Sequence, residues 1–226
     1  MVSRQAGFCF IHIQKTAGQS LRQHFAEAMP DLEKIGGTHD GAAEARRLLG
    51  KQWYDAAFSV AFVRNPWDRL VSWYTMIAES QRDLKLHHYV HAHSHDFESF
   101  LRKCTATIKD HDGKKSLIKN QIDYLTNWRR RQIVDFIGHF ETIEADLATV
   151  MERLGLPEKP LPKVNATKHH HYSAYYTDET AELVRRRFAR DIAAFGFSFE
   201  RVLSPCELDS GWPTYRMISD KPAILG

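Results

Sequence analysis

An apolar run that turns into a glycine-bearing loop and then a helix constrains this chain more than any other feature. Residues 8–21 read FCFIHIQKTAGQSL. Phe8, Phe10, Ile11 and Ile13 make an almost continuous apolar stretch, the pattern of a central parallel strand buried on both faces. Lys15, Thr16, Ala17, Gly18, Gln19 and Ser20 follow with a lysine, two hydroxyls and a glycine. Leu21, Phe25 and Ala28 then recur at helical spacing until Pro30 stops the run. A strand that turns directly into a helix aims backbone N–H groups, and the positive end of the helix dipole, at whatever sits above the loop. This predicts a phosphate or sulfate cradle with Lys15 as its charged arm.

A second strand end repeats the theme. Residues 56–63, AAFSVAFV, run straight into Arg64, Asn65 and Pro66. Asn65 suits an N-cap and Pro66 a first helical residue, which predicts a helix over 66–79. Arg69 and Ser72 share a face of that helix by i, i+3 spacing, and a guanidinium with a hydroxyl suits a phosphate. Two anion sites at neighbouring strand ends imply a ligand with phosphate groups at two separated places.

The rest of the chain supplies the alternation of an α/β fold. Helices are expected over 41–49, 117–125, 142–154 and 178–195, a third strand over 133–137, and a short strand at 34–35. Residues 80–116 read as an irregular, histidine-rich insertion holding a short helix over 96–103, residues 158–164 as a proline-rich connector, and 204–226 as a loosely packed tail. Strands alternating with helices predict one domain over 1–226, a three-layer parallel sheet with helices on both faces and ligands at the carboxyl ends of the strands. Trp67, Trp73, Tyr172, Tyr175 and Tyr176 are taken first as core.

Composition narrows the partners. A formal net charge of +3 over 226 residues suits a small polyanion and is too weak to argue for nucleic acid. Cys9, Cys104 and Cys206 stand far apart with no CxxC pair, so neither a disulfide framework nor a zinc–thiolate site is expected, and a reducing compartment fits. No signal-peptide pattern and no apolar run of transmembrane length is present, which predicts a cytoplasmic protein with no integral membrane segment. The histidines of HHYVHAHSH at 87–95 lack an acidic or thiolate partner and read as a polar loop, with no metal expected; His169, His170 and His171 are treated alike. The arginine triplets at 129–131 and 185–187 read as solvated faces. No G-x-x-x-x-G-K-[ST] motif occurs, because here the lysine comes first and one glycine follows. An ordinary ATPase or GTPase is therefore disfavoured; the competing readings are a small-molecule kinase of P-loop-like fold and a nucleotide-binding module without transfer activity.

QKTAGQS at 14–20 resembles the 5′-phosphosulfate loop of sulfotransferases, PKTGGTS or PKTAGTS, and RNPWDRLVSWY at 64–74 matches their 3′-phosphate motif R-N-P-x-x-R-x-x-S-x-Y at every fixed position. GHFETIEADL at 138–147 and NATKHHHYSAYYTDE at 165–179 are similar to later blocks of the carbohydrate-type, family 2-like sulfotransferases, a branch with Golgi enzymes and many bacterial members. The resemblance implies a P-loop-NTPase-like sulfotransferase fold. It implies 3′-phosphoadenosine 5′-phosphosulfate as donor, adenosine 3′,5′-bisphosphate as product, and a hydroxyl, on a carbohydrate, as acceptor. Carried over by position, the backbone N–H groups from Thr16 through Ala17, Gly18 and Gln19 to Ser20, with the Thr16 and Ser20 hydroxyls, hold the 5′-phosphosulfate. Lys15 neutralises charge on the leaving oxygen, Arg64 and Ser72 hold the 3′-phosphate, and Thr167 and Lys168 close over the nucleotide. Gln14 stands where proline is usual and Gln19 where threonine is usual. The first change loosens the loop; the second removes a hydroxyl.

In-line sulfuryl transfer to a sugar hydroxyl also needs a general base. His39, in GGTHDGA, is the first candidate, since an unperturbed histidine titrates near ~6.5. Glu141 is the alternative, with the plainer reading of a charge favoured at a helix N-terminus. The oligomeric state is not legible.

Overall fold

The computed structural model describes residues 1–79, 84–106, 117–162 and 170–201. Four strands make one sheet in the order β1 (Val2–Ser3), β2 (Phe8–Ile11), β3 (Phe58–Val63), β4 (Phe136–His139). β2, β3 and β4 are parallel, with Phe10 opposite Val60 and Val60 opposite Phe136. The expected all-parallel sheet needs one correction: β1 pairs antiparallel with β2, so the sheet is mixed. Residues 4–7 turn too tightly for a crossover, and a parallel partner would need a dozen residues or more.

Alternation along the strands sorts the helices. Phe8, Phe10, Val60 and Phe62 pack with Leu21, Phe25 and Met29 of α1 (Gly18–Ala28) and its C-terminal flank, and with Leu147, Val150 and Met151 of α8 (Ile143–Arg153). Cys9, Ile11, Ala61 and Val63 pack instead with Ala42 of α2 (Ala42–Leu49), Tyr54 of α3 (Lys51–Ala56) and Tyr124 and Leu125 of α7 (Ile122–Leu125). Successive side chains of a strand point to opposite faces, so the two sets of helices cover opposite faces of the sheet. At the start of β3 the Asp135 carboxylate accepts from both the backbone N–H and the hydroxyl of Ser59, at 2.8 and 2.5 Å. This ties the register of β3 to the segment entering β4.

A third apolar cluster contains no strand residue. It joins α4 (Pro66–Glu79), α5 (Lys85–His93), α6 (Phe97–Ser99), the π-helical Phe100–Cys104 that continues α6, and α9 (Asp178–Arg187). Trp67, Trp73, Tyr172 and Tyr176 are buried in it, as expected of core aromatics. The Trp67 indole donates to Ala181 O at 2.9 Å, and the Tyr176 hydroxyl to Trp67 O at 2.9 Å.

Several boundaries differ from the sequence expectation. Within the expected irregular insertion, residues 97–104 are helical as expected over 96–103, and Lys85–His93 is a further helix: Val90 and Phe100 are fully buried, and tertiary packing overrides a polar, histidine-rich composition. The helix expected over 117–125 is reduced to Ile122–Leu125, the third strand begins at Phe136, and the strand expected at 34–35 is a single bridge from Val2 to Glu33. The last helix breaks at Phe188, whose backbone leaves the helical region before α10 (Ala189–Phe195) starts. Helix α4 spans the predicted residues 66–79. The tail from Ser204 lies outside the described residues.

Candidate functional site

The loop between β2 and α1 adopts an unusual backbone. Lys15 and Ala17 hold φ of 68° and 60°, the left-handed region that L-residues avoid. Left-handed residues set between others make a concave nest of N–H groups, and strain of this kind, about 1–3 kcal/mol per residue, clusters at ligand sites. Helix α1 follows at once, without a side-chain cap, so its first turn opens with N–H groups the helix itself cannot satisfy. The Thr16 hydroxyl donates to Ile13 O at 3.0 Å. Its one proton is thus engaged within the loop. Gly18 is required by close approach, since a Cβ there would stand 1.8 Å from His12 Nε2.

Gln14, at the position expected to loosen the loop, is held in place. Its Oε1 accepts from the Tyr124 hydroxyl at 2.7 Å, and its carbonyl accepts from Arg69 Nε at 3.0 Å. Arg69 is 1% exposed and also donates through Nη1 to Lys119 O at 3.3 Å. It therefore staples the loop to α4 and to the segment before α7, and does not present its guanidinium to solvent as the i, i+3 pairing with Ser72 suggested. Among the described residues, two buried donors here, Arg69 Nη2 and Gln14 Nε2, have no hydrogen-bond partner.

The second basic strand end meets the first. Arg64 Nη1 donates to the carbonyl of Lys15 at 3.2 Å, across 49 residues of sequence. Its Nε pairs with Asp68 at 2.8 Å, and its guanidinium lies 3.9 Å from the centre of the Phe140 ring. Asn65 explains its place in the motif. It caps α4 by accepting from Trp67 N at 3.1 Å, its own N–H donates to Glu141 Oε1 at 2.7 Å, and its amide nitrogen donates to Ser198 O at 2.9 Å. Ser72 is buried one helical turn beyond Arg69.

Electrostatically the site is short of negative charge. Burial, and then the neighbouring Arg64, push the Lys15 ammonium down to about 8; Glu79 opposes this and Arg69 adds to it. Burial also lowers Lys119, whose ammonium stacks 3.7 Å from the centre of the Tyr124 ring. Cations that depress one another in a partly desolvated site are relieved by a bound polyanion. The nest, the bare helix start and the mutually repelling cations all fit a ligand carrying phosphate and sulfate groups.

His39 belongs to the same strand end. Its Nδ1 lies 3.0 Å from the carbonyl of His12, and the two rings are 4.5 Å apart. A carbonyl only accepts, so Nδ1 carries the proton and the lone pair sits on Nε2, the tautomer a base requires. His12 itself stays neutral: burial, then His39, push it down to about 3. Glu141 is raised by burial and is occupied with the Asn65 N–H at the start of α4. It thus sits in the first turn of the 3-10 helix Phe140–Thr142 that leads into α8, and it also faces the start of α4. Thr167 and Lys168 lie outside the described residues.

Gln121 escaped the sequence reading. Fully buried, it accepts from Arg64 N at 2.9 Å and donates to Arg64 O at 2.7 Å. Asp191 of α10, also 0% exposed, accepts from the backbone N–H groups of Gln121 and Ile122 at 2.8 and 3.0 Å. Neither KNQIDYL nor RDIAAF carries a local signal for this. A cleft of about 350 Å³ beside α8, lined by Met151, Lys159 and Pro160 among others, borders none of these groups.

Two parallel strands carry a lysine-led nest and an arginine-led helix at their carboxyl ends, in a protein of α/β character. The sequence profile of the sulfotransferase family matches residues 1–198, and the chain belongs to that family. Sulfuryl transfer in general, with a nucleotide donor and a hydroxyl acceptor, comes with membership. An uncharacterized protein of Archaeoglobus fulgidus is similar, 29% identical over 127 residues that cover 56% of this chain and 92% of that one. No solved structure matches the chain.

Proposed function

We propose that this protein transfers the sulfuryl group of 3′-phosphoadenosine 5′-phosphosulfate to a hydroxyl of a carbohydrate acceptor. The observation that carries the reading is the bond from the Arg64 guanidinium to the Lys15 carbonyl, which supports placing the two basic strand ends in one site. The same reading carries a three-layer arrangement related to P-loop nucleotide-binding folds, supported by the helices packed on the two strand faces.

The donor supplies an activated sulfuryl group on a phosphate leaving group. The nest at Lys15–Ala17 and the amides that open α1 orient the transferring end. Lys15 balances charge that builds on the leaving oxygen, from a partly desolvated position where such charge stabilisation is strongest. Arg64 and Ser72 hold the 3′-phosphate, and Asp68, already paired with Arg64, keeps that guanidinium oriented. His39 Nε2 takes the proton of the acceptor hydroxyl while His12 O keeps Nδ1 protonated. Thr167 and Lys168 act as closing residues over the nucleotide.

Transfer from sulfur-labelled donor to a panel of glycans, lipids and small alcohols tests the proposal. Label should appear on a carbohydrate hydroxyl with the native protein and not with Lys15→Met. A protein that binds adenosine 3′,5′-bisphosphate but labels no member of the panel contradicts it.

A further inference from the structure

A closed, rigid turn joins α7 to the segment entering β4. Thr126 and Gln132 bridge its two sides, Asn127 N donates to Arg131 O at 2.9 Å, and Arg130 N donates to Asn127 O at 2.8 Å. The Asn127 side chain fills the turn, its Oδ1 accepting from Arg129 N and Arg131 N at 2.9 and 3.1 Å. Below it, Ile133 N donates to Leu125 O at 2.9 Å and the Tyr54 hydroxyl donates to Ile133 O at 3.0 Å. The base of the prong is therefore part of the core.

The side chains the prong displays at 128–131 are exposed. Trp128 is 83% exposed, against 41% for Leu48 and 45% for Leu84. Arg129 stacks its guanidinium 4.5 Å from the centre of the indole. Arg129, Arg130 and Arg131 are exposed, and among the described residues no ion pair engages any of them. Arg130 holds φ at 59°, a conformation suited to glycine or asparagine. A large indole in water, three uncompensated cations and a left-handed arginine point to a partner outside the chain.

We propose that residues 127–131 dock the protein reversibly on an anionic lipid surface. The prong is a tight turn whose exposed side chains occupy four consecutive positions, 128–131. A polymer is gripped by successive subsites along its length, whereas one compact cluster suits a plane of headgroups. An indole settles at the headgroup level of a bilayer, guanidinium groups pair with lipid phosphates, and the Arg129–Trp128 stack carries a cation in with the ring. The protein lies on such a surface and does not cross it through any described helix, since none is long and apolar enough. Each arginine near an anionic leaflet contributes about fivefold in binding, so three give about a hundredfold, in the range of reversible attachment.

Co-sedimentation of the full chain with vesicles tests this. One set holds phosphatidylserine and phosphatidylcholine, the other phosphatidylcholine alone. The native protein should favour the anionic set. Replacing Arg129, Arg130 and Arg131 together with Gln should cut that binding about a hundredfold. Arg130→Gly relieves the strained backbone, so it should leave thermal stability equal or higher while weakening vesicle binding about fivefold. Trp128→Phe should abolish the blue shift of indole emission that vesicles induce in the native protein. Equal binding to both vesicle sets, or unchanged binding by the triple variant, overturns the proposal. So does binding to soluble dextran sulfate that matches vesicle binding and ignores Trp128→Ser, which assigns the prong to polyanions in general. A dimer that Trp128→Ser disperses, without vesicle binding, assigns it to a second copy and overturns it equally.

Discussion

The side-chain amide of Gln121 grips the backbone of Arg64 from both sides, accepting from its N–H at 2.9 Å and donating to its C=O at 2.7 Å. It occupies the place a neighbouring strand would take where β3 runs out of partners, and Asp191 in turn fixes Gln121. Gln121→Leu leaves two buried backbone groups of Arg64 unpaired, a loss of about 2–4 kcal/mol in stability. If Gln121 positions the guanidinium, affinity for adenosine 3′,5′-bisphosphate falls about tenfold while affinity for adenosine 5′-phosphate, which lacks the 3′-phosphate, is kept. Calorimetric titration with the two nucleotides separates this from a general loss of fold, which lowers both.

Lys15 is a strained, partly desolvated cation, and the protein should be more stable without it. Its folded value near 8 lies below its ordinary 10.5, so between those values the unfolded chain binds more protons and ligand-free stability rises with pH. At neutral pH the folded protein carries the unfavourable charge. Lys15→Met is expected to raise the melting temperature of the ligand-free protein by about 2–4 °C and to abolish turnover. In the native protein, bisphosphate affinity should be flat below pH 8 and fall up to about tenfold per pH unit above it, as the ammonium is lost.

Gly18 and His12 form one packed unit. A Cβ on residue 18 meets the His12 ring at 1.8 Å, and the ring is buried with nowhere to yield. Gly18→Ala alone should destabilise by about 1–3 kcal/mol, the usual range for overpacking. In a His12→Ala background the same change should be nearly neutral. Thermal melts of the four proteins in this cycle measure the coupling, and additive effects would mean the two residues do not touch.

His39 is expected to act on turnover, not on the nucleotide. His39→Ala should lower kcat by about 10²–10⁴-fold with bisphosphate affinity unchanged. Glu141→Gln should instead act through the start of α4, lowering stability and bisphosphate affinity together, because its carboxylate holds the Asn65 N–H. Single-turnover rates and titrations on both variants decide between the two candidate bases.

Local sequence carried the strand ends and little of what holds them. Residues 8–21 and 56–79 announce themselves because an apolar run, a loop and a cap lie within a few residues, and helix α4 keeps its predicted ends because Asn65 and Pro66 define its start. The contact of Arg64 with Lys15 followed from two strands being neighbours in the sheet. The residues that shape the site come from far along the chain. Tyr124 reaches Gln14 across 110 positions, Gln121 reaches Arg64 across 57, and Asp191 reaches Gln121 across 70. Buried polar contacts of this kind leave no periodicity. Nor does helix α5, which exists because the third apolar cluster buries Val90, whereas the helical turns over 97–104 match the expected short helix. The break at Phe188 is likewise invisible in a pattern that stays apolar on both sides of it.

Calorimetric titration with adenosine 3′,5′-bisphosphate, against adenosine 5′-phosphate and against ATP with magnesium, tests most directly whether one site reads two separated phosphate groups of one nucleotide. The bisphosphate should bind at least about tenfold more tightly than adenosine 5′-phosphate, and Arg64→Gln should erase that preference. A native protein that binds the two equally, or that favours ATP with magnesium, contradicts the account.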